Sequence, residues 1–250
     1  RAYALGTMSA ACFAIGDVGL AQQCFEQCDH LHEQLSDSYG HAAELAAAST
    51  GLRASRLPDD ALAFVERAYA LVIRNISDRS FLLVFVRAEL AASLLATGDV
   101  MAGVRLAEST RSSIAGLPMT MHLLRLDLVL SEAARQSGDY SAEVRRLEGY
   151  RDYILTGSAN TMLSLYIRAF PGLLGVLCSF IDARELPVHM LRLLPVSVVE
   201  EAIKISSDMT DPVQLQTLQG RLQQCQPDPE MEHEEPVQRP RSACRVRLFG

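Results

Sequence analysis

Apolar residues recur at three- and four-residue intervals through most of the first 225 positions. That is the spacing of one face of an α-helix. Leu5, Met8, Cys12 and Ile15 make one such stripe, and Leu20, Ala21, Cys24, Phe25, Cys28 and Leu31 make the next. Gly16-Asp17 breaks the first from the second, and Ser36-Asp37-Ser38-Tyr39-Gly40 is turn chemistry. Further along, the pattern predicts helices over about 41–56, 59–76, 80–97, 100–114, 119–137 and 141–155. Pro58 is well placed to open one of them. A fifth long helix over about 161–181 is expected to bend near Pro171-Gly172, where proline removes a backbone donor. Shorter helices follow over 187–194, 196–205 and 212–224.

The breaks between these segments repeat. Ala14-Ile15-Gly16-Asp17-Val18, Ala96-Thr97-Gly98-Asp99-Val100 and Gln136-Ser137-Gly138-Asp139-Tyr140 are variants of one phrase, and Ser55-Arg56-Leu57-Pro58-Asp59 is a degenerate fourth. Gly16, Arg56, Gly98 and Gly138 fall 40, 42 and 40 residues apart. A fixed period in this range marks a helical repeat array. Such arrays generally present an extended binding surface rather than a catalytic centre.

After residue 225 the pattern stops. Residues 226–243 hold Pro227, Pro229, Pro236 and Pro240 with acidic residues followed by arginines, and read as a flexible linker. Residues 244–250 alternate polar and apolar, which is a strand pattern that cannot stand alone. The expected organisation is therefore a helical repeat domain over 1–205, with four hairpins to about 156 and a helical cap. A terminal helix over 206–225, the linker and an isolated strand follow. Because the chain opens mid-helix without Met, a fragment of a longer protein is expected.

Composition narrows the class. Of 250 residues, 49% are apolar, only 6% are aromatic and none is Trp, which favours helix. A net charge of −7 argues against a nucleic-acid surface on this segment, where a basic stripe is expected. The longest apolar stretches, Phe81 to Gly98 and Ala169 to Ile181, are interrupted by charge or too short to span a bilayer. No membrane association and a cytoplasmic location are expected. Six cysteines without scaffold density read as reduced thiols.

The residues around each break carry a resemblance. Gly16, Asp17, Ala21, Phe25 and Cys28 resemble the tetratricopeptide repeat, in which a turn Gly-Asp precedes a small residue, an aromatic and another small residue at helical spacing. Ala61, Val65 and Ala68 fill the same places in the second unit. Gly103, Ala107 and Thr110, and Glu143, Leu147 and Tyr150, depart further from the pattern. The period of about 41 is longer than the usual 34. It is similar to that of the sensor regions of large bacterial transcription activators of the maltose-regulon activator type. Asp182, Glu185-Leu186-Pro187, Leu191, Leu193 and Leu194 look like the end of such a region. Cys244-Arg-Val-Arg-Leu-Phe-Gly250 resembles the opening strand of the winged-helix domain of actinobacterial antibiotic-regulatory activators.

The resemblance implies an all-α, right-handed superhelix of tetratricopeptide-like helical hairpins. It also implies a ligand-sensing or protein-interaction role in a multidomain bacterial transcription regulator, with no enzymatic activity and no cofactor. The partner would be a small-molecule inducer or a protein or peptide held in the concave groove. DNA would be reached only through a neighbouring domain, and a homo-oligomer is possible. The alternative is a stand-alone scaffold or co-chaperone-like peptide-binding module. In such arrays the first helix of each pair lines the groove. Tyr3, Phe13, Glu44, Arg53, Phe85, Arg125, Glu132 and Arg135 are therefore the candidate ligand-binding positions. Arg offers a planar fork of donors suited to carboxylate or phosphate.

Other chemistry is sparse. Cys24, Cys28 and His32 share a helix face and have the donor types of a zinc site, but Cys28 sits where the repeat needs a small packing residue. No metal is expected. Gly172-Leu173-Leu174-Gly175 follows a helix and lacks the Lys-Ser/Thr of a phosphate loop. It reads as a kink and a close helix crossing.

Overall fold

The computed structural model describes residues 1–73, 80–138, 141–206 and 211–225, and the expected linker and terminal strand lie outside them. The described residues form helices and connecting turns, with no strand among them. In chain order the helices are α1 (Ala2–Ile15), α2 (Val18–Leu35), α3 (Ser38–Ala54), α4 (Pro58–Val72), α5 (Phe81–Ala96), α6 (Val100–Ser113) and α7 (Thr120–Gln136). They continue with α8 (Ser141–Glu148), α9 (Arg151–Leu155), α10 (Asn160–Ala169), α11 (Gly172–Cys178), α12 (Val188–Arg192), α13 (Val196–Ser206) and α14 (Pro212–Cys225). None is long and apolar enough to cross a membrane.

The recurring Gly-Asp has a local cause. Gly16 and Gly98 end their helices at φ 88° and 94°, a left-handed conformation costly for a residue with a Cβ. The aspartate that follows then caps the next helix: Asp17 accepts from the Leu20 N–H at 3.0 Å and Asp99 from the Ala102 N–H at 3.2 Å. One residue stops a helix and its neighbour starts another. In the degenerate copy Arg56 takes the left-handed conformation at φ 63°, and Pro58 opens α4 in place of a capping side chain. Ser36-Asp37 repeats the device between hairpins. Ser36 has φ 53°, and Asp37 accepts from the Gly40 N–H at 2.9 Å. The serine hides that match from a search for Gly-Asp.

Consecutive helices pair as α1/α2, α3/α4, α5/α6 and α7/α8, and the first helices stack in one row, α1 on α3, α3 on α5, α5 on α7. The small positions face inward: Ala21, Ala61, Ala68, Gly103, Ala107 and Thr110 are all buried. At Gly103 a Cβ would stand 2.8 Å from the Ala91 carbonyl oxygen, so α6 crosses α5 at a distance only glycine permits. Helix α5 is largely apolar, with Arg87 and Glu89 its only charges, and most of its residues are buried, as such a helix must be. Its Leu83, Val86 and Leu90 join the core of the first hairpins, while Val84, Ala88, Ala91 and Leu95 join the core beneath α7 and the later helices.

Two expected helices are divided. The stretch 161–181 is not one bent helix but α10 and α11, separated at Phe170-Pro171. Phe170 adopts φ −133°, ψ 79°, because a residue before proline is pushed out of the helical region. The stretch 141–155 breaks at Gly149-Tyr150, and the Tyr150 hydroxyl turns inward to donate to the buried Asp127 carboxylate at 2.8 Å. Beyond α9 the chain returns. Helix α10 packs against α3, α11 packs against α7, α8 and α13, and α14 closes on α12 and α13. The C-terminal helices thus return to the row of first helices through α10 and α11.

Candidate functional site

The meeting of α10 with that row creates a buried ionic cluster. Its centre is Glu89, the single acidic residue of α5, with no exposure to solvent. Four donors from three other helices converge on its carboxylate. Thr50 Oγ1 of α3 donates to Oε2 at 2.8 Å, and Arg53 Nη2 of α3 donates to the same oxygen at 2.6 Å. Arg125 Nη1 of α7 and Tyr166 Oη of α10 donate to Oε1, the latter at 3.0 Å. Arg53 Nη1 also reaches Ser93 Oγ at 3.1 Å, and its guanidinium stands 5.2 Å from the centre of the Tyr166 ring. Arg125 lies 4.7 Å from the centre of the Phe85 ring.

Burial alone would raise the Glu89 carboxyl. The charges of Arg53 and Arg125 and the donated hydrogen bonds outweigh it and hold the group below the usual carboxylate range. Burial likewise opposes the Arg125 charge, but Glu89 more than restores it. The Tyr166 hydroxyl is raised by burial and by Glu89, so it remains a donor. The cluster carries two cations for one anion, and Tyr166 is its lid. Nearby, burial and then the Arg125 charge lower His122 to about 4, so its ring is neutral at pH 7.

A second pair lies along α7. Arg135 grips Glu132 through Nε at 2.8 Å and Nη2 at 2.7 Å. A Cβ on Gly172 would stand 2.2 Å from Arg135 Nε, so the start of α11 rests directly on this guanidinium. Between the two clusters, a cleft of about 340 Å³ is lined by Arg53, Arg56, Glu132, Arg135, Phe170 and Glu201 among others. It opens beside an ion pair, Arg56 Nη2 to Glu201 Oε2 at 2.6 Å, that ties the α3–α4 turn to α13.

The eight sequence-derived positions are therefore used unequally. Arg53, Phe85 and Arg125 meet in the Glu89 cluster, and Glu132 and Arg135 pair with each other beside the cleft. Phe13 is a correction. It is fully buried against Gly51 in the core between α1 and α3, and presents no surface to a ligand. Tyr3 is exposed and donates to Asp37 Oδ2 at 3.1 Å. Glu44 is half-buried against Gly6, and burial raises its carboxyl. Both lie in the first hairpins, apart from the ionic cluster. Glu89 and Tyr166 escaped sequence reasoning. A single acid in a largely apolar helix was the available signal for Glu89, and Tyr166 had none without knowing that α10 returns to α3.

The Cys24-Cys28-His32 face is packing. Cys28 Sγ donates to the Ala2 carbonyl at 3.3 Å, and buried His32 has Nδ1 3.3 Å from Asp37 Oδ2 with its ring stacked on His41. Among the described residues no group of three or more His, Cys, Asp or Glu side chains is arranged to hold a metal ion.

Comparison with family models, with curated proteins and with solved structures yields no match to this chain.

Proposed function

We propose that this chain is the ligand- or partner-sensing region of a multidomain bacterial transcription regulator, built as a superhelix of tetratricopeptide-like hairpins. The observation that carries the sensing reading is the docking of α10 on the row of first helices through Tyr166 and Glu89. The side chains that would hold a groove ligand, Arg53 and Arg125, are already engaged by the chain itself. An array in this state does not offer that surface freely to a peptide, which disfavours the scaffold reading. It fits a two-state element in which a ligand or partner shifts the balance between docked and released α10–α13 by binding one state better. The regulator reading rests further on the repeated Gly-Asp breaks with a period near 41, and on the arginine-flanked apolar residues at 244–250. DNA contact belongs to a neighbouring domain in this reading, and catalysis has no part in it.

The experiment is a thermal-shift screen against oligosaccharides, amino acids, nucleotides and short peptides, followed by hydrogen exchange on α10. A small molecule that raises the melting temperature and changes α10 protection supports the sensor. Retention of a peptide with no small-molecule response, and with α10 unchanged, overturns it in favour of the scaffold.

A further inference from the structure

We propose that the cleft bounded by the α1–α2 turn, the α3–α4 turn and the first turn of α13 binds a phosphate group, inorganic or carried on a small organic molecule. The cleft measures about 350 Å³ and is lined by Gly16, Ser55, Arg56, Arg168, Ser197 and Glu201 among others. That volume suits a small ligand. The site is distinct from the Glu89 cluster and stands whether or not the array regulates transcription.

The determining residue is Arg168 of α10. It is only 8% exposed, yet it lines the cleft, and one guanidinium nitrogen lies 3.9 Å from where a Cβ on Gly16 would be. Every other strongly buried charge described above has a countercharge: Glu89 has Arg53 and Arg125, Asp127 has Arg111, Glu132 has Arg135. Among the described residues Arg168 has no carboxylate and no hydrogen-bond acceptor. The charge that acts on it, Arg56, is repulsive. Burial first, and the Arg56 charge second, lower its proton affinity. A buried cation facing another cation across a cleft is satisfied by an anion placed between them.

The remaining walls suit that anion. Helix α13 runs Val196–Ser206, and Pro195, just before it, with Ser197 and Val198 of its first turn, faces the cleft. The Val198 N–H donates to the Pro195 carbonyl at 3.1 Å, while the earlier N–H groups of Val196 and Ser197 have no acceptor within the helix and carry a partial positive charge. Ser55 and Ser197 add hydroxyls at the rim. Two guanidiniums and a helix start match a phosphate dianion better than the single charge of a carboxylate. The one opposing group is Glu201, now paired with Arg56. Both are about half exposed, with side chains 47% and 45% accessible, so this pair is screened and weak. Arg56 can turn from Glu201 to the phosphate. Binding would then exchange a direct tie between the α3–α4 turn and α13 for one through the ligand.

The test is titration calorimetry of the full chain at low ionic strength with inorganic phosphate and with phenyl phosphate, and with acetate as control. Arg168→Met and Arg56→Gln are measured in parallel. Saturable phosphate binding is expected, weakened on the order of tenfold or more by Arg168→Met and also weakened by Arg56→Gln, with acetate far weaker. Tighter binding of phenyl phosphate than of phosphate assigns the rest of the cleft to an organic moiety, and equal binding assigns the site to inorganic phosphate. In the absence of phosphate, Arg168→Met should melt at or above the wild-type temperature, since it removes an uncompensated buried charge. That readout separates loss of the site from loss of the fold. Absence of phosphate binding by the wild type, or unchanged affinity in folded Arg168→Met, overturns the proposal.

Discussion

Replacing Glu89 by glutamine exchanges one carboxylate oxygen for an NH₂ group at a charge with no exposure to solvent. Its two carboxylate oxygens receive Thr50 and Arg53 on one side, and Arg125 and Tyr166 on the other. An amide keeps one acceptor and turns an NH₂ toward two donors on the opposite side. It also leaves Arg53, whose side chain is 1% accessible, and Arg125 without a countercharge. Removing one partner of a buried ion pair typically costs about 3–5 kcal/mol. With a urea dependence of about 2–3 kcal/mol per molar, the unfolding midpoint of Glu89→Gln should fall by about 1 to 2.5 M at pH 7. Replacing Glu89, Arg53 and Arg125 together by Leu, Met and Met should cost less than Glu89→Gln alone, because no orphaned charge remains. The pH dependence has a definite sign. The folded carboxyl lies below its unfolded value of about 4.3, so its stabilisation is present above that pH and lost as pH falls through the depressed folded value. The gap between wild type and variant in urea titrations should therefore close in acid. A Glu89→Gln deficit under about 1 kcal/mol at pH 7, or a triple variant worse than the single one, would refute the reasoning.

Other outcomes follow from the same geometry. Burial and the Arg125 charge lower His122 to about 4 in the folded chain, against about 6.5 unfolded, so the unfolded state binds more protons between those values. Stability should fall as pH drops from about 6.5 toward 4, and urea midpoints of His122→Gln at pH 7 and pH 5 should differ less than those of the wild type. The Cys28 thiol is pushed up to about 11 and the Cys178 thiol to about 12, each by burial first and nearby carboxylates second. Peptide mapping after brief alkylation at pH 8 should find both unmodified in the native protein and modified in urea. Gly103→Ala must push α6 from the Ala91 carbonyl, at a cost of about 1–3 kcal/mol in denaturant titration. Asp99→Ala should cost about 1 kcal/mol by the same measurement, through loss of the cap on the Ala102 N–H.

Helix boundaries were readable from the sequence because their causes lie within four residues. Gly16 and Gly98 end one helix, and the next aspartate accepts from a backbone N–H three positions on. The inward face was readable for a similar reason, since Ala21, Ala61, Ala68 and Ala107 recur at helical spacing and are fully buried. Where local chemistry was disguised the reading weakened, as at Ser36-Asp37, or at Phe170-Pro171, where a bend proved a full break.

The candidate site depended on contacts no spacing rule reports. Glu89 draws partners 36, 39 and 77 positions away along the chain. Arg53 and Arg125 could be assigned a face from the sequence but not a counterion, because that depends on which helices stack. Phe13 was placed in the groove by its repeat position, and buried by Gly51 on the neighbouring helix, which leaves room for its ring. Arg168 shows the limit most clearly. Its helical register is local, but its lack of a countercharge follows only from the return of α10 to α3 and of α13 to the α3–α4 turn. Local sequence determined where most helices start and stop and which face their small residues bury. The desolvation and pairing of charge, and with them the clefts that could hold a ligand, were decided by tertiary packing alone.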